Sequence, residues 1–251
     1  MRKRESKPLF ELVEEWDAIA PVRIEQIISG RDITFPNILL PGVLSLLKDE
    51  NHNSVLDAGC GVGVLTTHLS GIFKKVVGVD PSPESIRIAN ENFRYDANFL
   101  VSTMEDFSKF SKFNFNVITA NMVLMDVLNL DSFLEGVARR LRKGGAFIFT
   151  MTHPCFWPEY YGYRNESWFR YNDDAIVESP FRISYQQDCR LVSTHVHRPL
   201  ERYIDAFSRH GLLLEEMREP FPDAALEASY PSRWEFPRYI IGRCRLPRRF
   251  A

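Results

Sequence analysis

VLDAGCGVG, from Val55 to Gly63, is the stretch on which the reading of the fold turns. Two apolar residues enter a strand, an acid follows, and glycines then fall at every second position. In an open parallel sheet, ligands bind outside the carboxyl ends of the strands, at the point where the strand order reverses. Gly59, Gly61 and Gly63 carry no Cβ, so a ligand at such a turn can touch the main chain itself. Strand-to-helix turns also use glycine for geometry alone, and the residues around the stretch have to decide between the two uses.

Downstream, short apolar runs alternate with helical segments: Val76, Val77 and Val79, then Phe99 to Val101, Val117 with Ile118, and Phe147 to Met151. That alternation predicts an α/β fold, a Rossmann-like doubly wound and mostly parallel sheet with crossover helices. Ser82 is the expected N-cap of a helix whose first turn holds Pro83. Asp131 is expected to cap a helix bearing Phe133, Leu134, Val137 and Leu141, with Gly144 and Gly145 as its stop. Upstream, Leu9, Leu12, Val13 and Trp16 have the spacing of one helix face, and residues 24 to 47 read as broken helical pieces. We expect residues 1–50 to form a helical cap whose first residues, MRKRESK, are a solvated tail. From Thr152 to His197 the alternation stops and aromatic residues crowd in, which predicts a lid-like insertion at the carboxyl edge of the sheet. A helix from Leu200 to His210, Gly211 as its stop, and apolar runs at Leu212–Leu214 and Tyr239–Ile241 complete a seven-stranded sheet. The whole chain is read as one domain, with 51–151 as a cofactor-binding half, 152–197 as the insertion and 198–251 as the closing strands and helix.

The 251 residues are 45% hydrophobic and 25% charged, and 31 basic against 33 acidic residues leave a formal net charge of −2. Nothing in that balance attracts a polyanion, so nucleic acid is not an expected partner. Acidic residues interrupt the N-terminal apolar run, which excludes a signal-peptide core or a membrane span there and makes a cytoplasmic location the default. Cys60, Cys155, Cys189 and Cys244 lie far apart with no CxxC pair, so neither a metal centre nor a disulfide framework is expected.

Asp80 ends the second strand in VVGVD, where a carboxylate can accept hydrogen bonds from both hydroxyls of a ribose. A nucleoside-containing cofactor follows. Nicotinamide enzymes use the same two devices with a GxGxxG spacing. Here the third glycine of that spacing is Val64 counted from Gly59, or Thr66 counted from Gly61.

The GxGxG form, with Asp57 two residues before the first glycine, resembles the class I S-adenosylmethionine-dependent methyltransferases, and the resemblance runs from about residue 54 to the C-terminus. It implies S-adenosyl-L-methionine as cofactor, held by Asp57, Gly59, Cys60, Gly61, Asp80 and Pro81. In MEDF, Met104 and Glu105 with Asp106 would meet the adenine, through an apolar contact and an acidic or backbone acceptor. Thr103 stands where many members have an acid. Asn121 and Met122, after the fourth strand, would face the methionine part of the cofactor. HPCF, from His153, and HRPLERYIDAFSRHG, from His197, resemble a subgroup that acts mostly on small metabolites. The implied activity is methyl transfer to O, N or C of a small molecule by a monomer or homodimer. His153 is the candidate base, because imidazole accepts a proton near neutral pH, although a histidine before proline also serves turns. Trp16, Asp126, Phe156, Trp157, Tyr160, Trp168 and His197 are candidates for the substrate side; the aromatic run has ordinary packing as its alternative, Asp126 a capping or pairing role, and His197 a tie between lid and sheet. A base-modifying enzyme would carry an NPPY-like loop where this chain has Asn121, Met122, Val123 and Leu124. A protein that binds the cofactor without turnover is the remaining alternative.

Overall fold

A computed structural model describes residues 1–93, 97–183 and 189–248. Seven strands form one sheet in the order β4-β3-β2-β5-β6-β10-β9. They are β2 (Val55–Ala58), β3 (Val76–Asp80), β4 (Asn98–Val101), β5 (Phe115–Asn121), β6 (Leu141–Thr152), β9 (Leu213–Arg218) and β10 (Tyr239–Arg245). β2 pairs in parallel with β3 on one side and β5 on the other, so the order reverses between β2 and β5. The glycine-rich stretch leaves the sheet at that reversal. Only β10 runs against its neighbours, pairing antiparallel with both β6 and β9. The expected seven-stranded sheet is therefore present.

Helices cover both faces, and the sequence shows why. Along β6, Phe147, Phe149 and Met151 belong to one apolar cluster while Ala146 and Ile148 belong to another. Successive side chains of a strand point to opposite faces, and a continuous apolar run therefore needs a cover on each. One cover is α5 (Met104–Phe110), α6 (Leu130–Arg140) and α8 (Leu200–Arg209), which seat Phe133, Leu134, Tyr203 and Phe207 against the sheet. The rings of Phe149 and Phe207 lie 4.9 Å apart. Truncating either to alanine should cost roughly 3–5 kcal/mol, the range for large buried aromatics. The other cover is α2 (Leu40–Leu47) and α3 (Val64–Ser70), with a π-helical turn at Phe35–Leu39 leading into α2.

Helix α1 spans Leu9–Ile28, well past Trp16, and takes Pro21 within it. It packs on α4 (Pro83–Phe93) and on β8 (Val192–His197). Ser82 caps α4 as expected: its Oγ accepts the Ser85 N–H at 3.0 Å and donates to Asp17 Oδ1 of α1 at 2.5 Å. The α6 cap differs from expectation. Asn129 Oδ1 accepts the Ser132 N–H at 3.0 Å, while Asp131 reaches outward to Arg209 and His210. Asn129 precedes the helix and can fold back onto its free N–H groups, whereas Asp131 already lies inside the first turn. Helix α6 ends at Arg140, so Gly144 and Gly145 fall within β6 instead of stopping the helix.

Two further corrections concern the lid-like region and the N-terminal segment. Beyond α7 (Trp157–Tyr161), residues 152–197 contain β7 (Ala175–Pro180) and β8, which form a second sheet with β1 (Arg2–Arg4) in the order β1-β7-β8. The basic N-terminus is thus an antiparallel edge strand and not a free tail, with Arg2 opposite Glu178. Lys7 follows it inward and bridges Glu178 of β7 at 2.9 Å and Glu15 of α1, its side chain only 2% exposed. Helix α9 (Ala224–Glu227) lies between β9 and β10. Among the described residues no helix is long and apolar enough to cross a membrane.

Candidate active site

A cavity of about 670 Å³ opens where the sheet order reverses, bounded below by the glycine turn and above by α1 and the second sheet. The three glycines of the turn all have positive φ, yet they serve different ends. A Cβ on Gly59 would lie 2.4 Å from a Val123 methyl, and one on Gly63 would press on Ala89 and the Phe99 ring at 3.0 Å. These two permit close packing. Gly61, at φ +51°, has no atom within 4 Å of the place its Cβ would take. Because Gly61 lines the cavity, that bare main chain faces the space a ligand would fill.

Asp57 sits beneath the turn, 1% exposed, its carboxylate accepting from Thr66 Oγ1 at 2.6 Å and from Thr119 Oγ1 at 2.8 Å. Burial pushes its pKa up to about 6 against the pull of those two bonds. Asp80 at the end of β3 accepts the Gly61 N–H through Oδ2 and the Ser82 N–H through Oδ1, each at 2.9 Å. Burial raises its pKa to about 6 as well, opposed by the two N–H donors and reinforced by the negative charges of Asp57 and Asp17. A carboxylate oxygen has more than one acceptor direction, so Asp80 retains capacity for hydroxyl donors from the cavity. Cys60 beside it is buried, and burial together with Asp80 and Asp57 keeps its thiol protonated.

The next wall is the start of α5. Thr103, which stands where many members of the resembled family have an acid, is the helix N-cap, its Oγ1 accepting the Asp106 N–H at 3.1 Å. Met104 is buried under the cavity floor, and Glu105 and Asp106 line the rim. On the β5 side, Asn121 and Met122 also line the cavity. Met122 has φ +58°, a left-handed conformation that only a few per cent of non-glycine residues adopt. Thr150 holds it there: the Thr150 hydroxyl accepts the Met122 N–H at 2.9 Å and donates to Asn121 Oδ1 at 2.8 Å. Backbone strain of this kind persists where surrounding bonds over-determine it, and it concentrates at functional sites.

Above these lies a chamber of different character, walled by Trp16, Met125, Trp157, Tyr160, Tyr161 and Phe181. Trp157 stacks on Tyr161 with ring centroids 5.0 Å apart, and Trp16 meets Phe181 edge-on at 6.3 Å. Asp126 projects into this apolar space. Burial raises its pKa well above the ordinary carboxylate value, the charges of Glu15 and Asp80 push the same way, and Arg198 opposes them. No hydrogen bond to a described residue stabilises its charge. Arg198, itself buried, grips the loop carrying Asp126 by donating to the carbonyls of Leu124, Val127 and Leu128. His195 lines the chamber from β8, bonded through Nε2 to Tyr163 Oη at 3.1 Å, and burial with the neighbouring His197 brings its pKa down to about 3.

The cavity thus brings together the expected cofactor residues Asp57, Gly59, Cys60, Gly61, Asp80, Pro81, Met104, Glu105, Asp106, Asn121 and Met122. It also gathers Trp16, Asp126, Trp157 and Tyr160 from the expected substrate group, but not His153, Phe156, Trp168 or His197. The His153 ring is 3% exposed and faces away, with Nε2 at 2.7 Å from Glu219 Oε1 and Nδ1 accepting the Cys155 N–H at 3.2 Å. The turn into Pro154 aims it there. Phe156 stacks on Phe236, Trp168 on Tyr163, and His197 Nε2 bonds the Tyr171 carbonyl. Thr66, Thr119, Thr150, His195 and Arg198 were absent from the sequence-based set. For two of them a signal exists, because Thr119 and Thr150 are hydroxyls set within the apolar runs Val117–Ala120 and Phe147–Met151.

Comparison with known proteins agrees with this geometry. A family model described as "Methyltransferase domain" matches residues 35–216. The mitochondrial ubiquinone biosynthesis O-methyltransferase of Homo sapiens is 29% identical over 102 residues, which is 38% of this chain and 28% of the relative. The match thus spans under a third of that relative's own length. An S-adenosylmethionine-dependent methyltransferase from Clostridium acetobutylicum superposes with a TM-score of 0.64 at 17% identity, covering 90% of this chain and 98% of the other. A DhpI–SAM–HEP complex superposes with a TM-score of 0.64 at 19% identity, covering 93% and 97%. That family model spans well over half of the sequence, and the chain belongs to the methyltransferase-domain family.

Proposed function

We propose that the chain transfers the methyl group of S-adenosyl-L-methionine to a hydroxyl or amine of a small molecule held in the aromatic chamber. The observation that carries this reading is the continuity of one cavity from the bare main chain of Gly61 and the carboxylate of Asp80 to the carboxyl of Asp126. The cradle fits the cofactor by a simple criterion: the volume that a Cβ at Gly61 would take is open, and an acid with spare acceptor capacity stands beside it. In this reading Asp80 accepts the ribose hydroxyls, the Met104–Asp106 turn borders the adenine, and Cys60, Gly61, Asn121 and Met122 border the remainder. When bound, the cofactor supplies a methyl group already activated on a sulfonium.

The protein's own residues then have three tasks. The aromatic walls exclude water and fix the acceptor, and positioning of this kind alone supplies several powers of ten in rate. Aromatic faces also attract a cationic group lying over them. Asp126 takes the proton that a hydroxyl or ammonium must lose, since its raised proton affinity brings it toward the acceptor's own. His153 is withdrawn as the base, because its ring points out of the cavity. The small-molecule reading is further supported by the curated relatives named as ubiquinone biosynthesis O-methyltransferases.

Calorimetric titration with S-adenosylmethionine and with its demethylated product tests the cofactor assignment. A product-release assay against a panel of small hydroxyl and amine acceptors then tests turnover. Absence of binding by either nucleoside would overturn the reading.

A further inference from the structure

The turn after β6 carries a second constellation, outside the cavity. Four segments converge on Cys155, which is partly exposed. His153 Nε2 lies 2.7 Å from Glu219 Oε1. A carboxylate only accepts, so Nε2 carries the ring proton and Nδ1 is left as the acceptor. Nδ1 receives the backbone N–H of Cys155 at 3.2 Å, which sets the imidazole beside the residue that carries the thiol. From the opposite side, Tyr171 Oη stands 3.2 Å from Cys155 Sγ. That phenol already accepts the Leu200 N–H at 3.0 Å, and its own proton is free to turn to the sulfur. A nucleophile, a base and a group that orients the base are thus assembled in the order that activates a thiol.

We propose that Cys155 is a nucleophilic thiol that undergoes exchange with low-molecular-weight disulfides, with His153 as its proton acceptor, Glu219 as the residue positioning His153, and Tyr171 as the donor to the sulfur. The thiol proton passes to Nδ1 of His153. The Cys155 sulfur then forms a bond to one sulfur of the disulfide, the original S–S bond breaks, and the departing thiolate takes up the proton. No other oxidant enters, because the incoming disulfide is the species reduced. The electrostatics agree: His153 draws the thiol pKa down against the cost of burial, with Tyr171 helping. The reactive form of a cysteine is the thiolate, and an imidazole partner raises its share at neutral pH.

The remaining cysteines provide the contrast. Cys60 and Cys244 are buried, and burial is the main cause that pushes both thiols up. Cys189 is partly exposed and serves as an internal reference. The site also adjoins the acceptor chamber without belonging to it. Cys155 precedes α7, whose Trp157 and Tyr161 wall that chamber, and Tyr171 ties the insertion to the start of α8.

The test uses the full chain and glutathione disulfide, with adducts quantified site by site by mass spectrometry after digestion. Cys155 is expected to react about tenfold or more faster than Cys189 at neutral pH. H153Q should lower the Cys155 rate about tenfold and move the midpoint of its pH profile upward, and Y171F should lower the rate less. Should H153Q fail to fold, E219Q replaces it, since Glu219 is half-exposed and its amide keeps the shape while weakening the hold on the ring. Equal rates at Cys155 and Cys189 would overturn the proposal. So would a rate and pH profile unchanged in whichever of H153Q or E219Q folds.

Discussion

Replacing Gly61 by alanine separates the two uses to which glycine is put in the turn after β2. At φ +51° a side chain is strained whatever the space around it, and the left-handed conformation costs an L-residue roughly 1–2 kcal/mol. No atom lies within 4 Å of the new methyl, so no packing penalty is added. For a chain of this length the melting temperature should fall by roughly 2–8 °C. The methyl enters the space assigned to the cofactor, and affinity for S-adenosylmethionine should fall by at least about tenfold, equivalent to roughly 1.4 kcal/mol. Gly59→Ala behaves in the opposite sense: its Cβ would lie 2.4 Å from a Val123 methyl, so stability suffers first and more. Differential scanning calorimetry and isothermal titration on the two variants distinguish the cases. Wild-type cofactor affinity in Gly61→Ala would refute the assignment of that face of the turn to a ligand.

Cofactor affinity should weaken as pH falls through about 6, where Asp80 takes up a proton and loses its charge, and Asp80→Asn should flatten that dependence in a titration series. The same shift has the opposite sign for the ligand-free fold. Between the ordinary 3.8 and about 6 the native carboxyl keeps a proton that the unfolded chain has released, so this group's contribution to stability declines as pH rises through that window. Melting curves of Asp80→Asn and wild type across the window check it, and a wild-type contribution that grew with pH would contradict the sign. Asp126→Asn should reduce kcat with a hydroxyl or protonated amine acceptor by about two powers of ten while leaving cofactor affinity in place, and unchanged turnover would remove Asp126 from the proton path. Lys7→Met leaves Glu15 without its cation and should cost about 3 kcal/mol, read as a lowered melting temperature.

The seven-stranded sheet was legible because its central strands β2, β3, β5 and β6 carry runs buried on both faces, with turn or cap chemistry between them, as at Ser82 before Pro83. The place of Gly61 and Asp80 on the cavity wall was legible for the same reason, since both stand at strand ends whose positions the alternation predicts. The second sheet escaped. Its strands, RKR, AIVESP and VSTHVH, are short and mixed in polarity, and β1 is ordered by pairing with a segment more than 170 residues away. No local pattern distinguishes such a strand from a solvated tail, because the burial of Lys7 depends on Glu178 and Glu15 reaching it. His153 illustrates a related limit. Its place after β6 was readable, but the direction of its ring depends on Glu219 beyond β9. The exchange of Asp131 for Asn129 at the α6 cap is a shift of two residues, about half a helical turn, which the apolar spacing of the helix does not fix.

The pairing of Arg2–Arg4 with residues 176–178 has a consequence for the order in which the molecule is built. As the chain leaves the ribosome, the crevice bounded by β2, β3, the start of α5 and the end of β5 has all its parts once about 120 residues have emerged, whereas the roof waits for nearly 200. Contacts between remote segments form late, because the entropy of closing the intervening loop must first be overcome. On that order of events the crevice at the glycine turn has its parts before the aromatic chamber above it has its roof. A ligand that arrives then would meet the crevice before there is a ceiling above it.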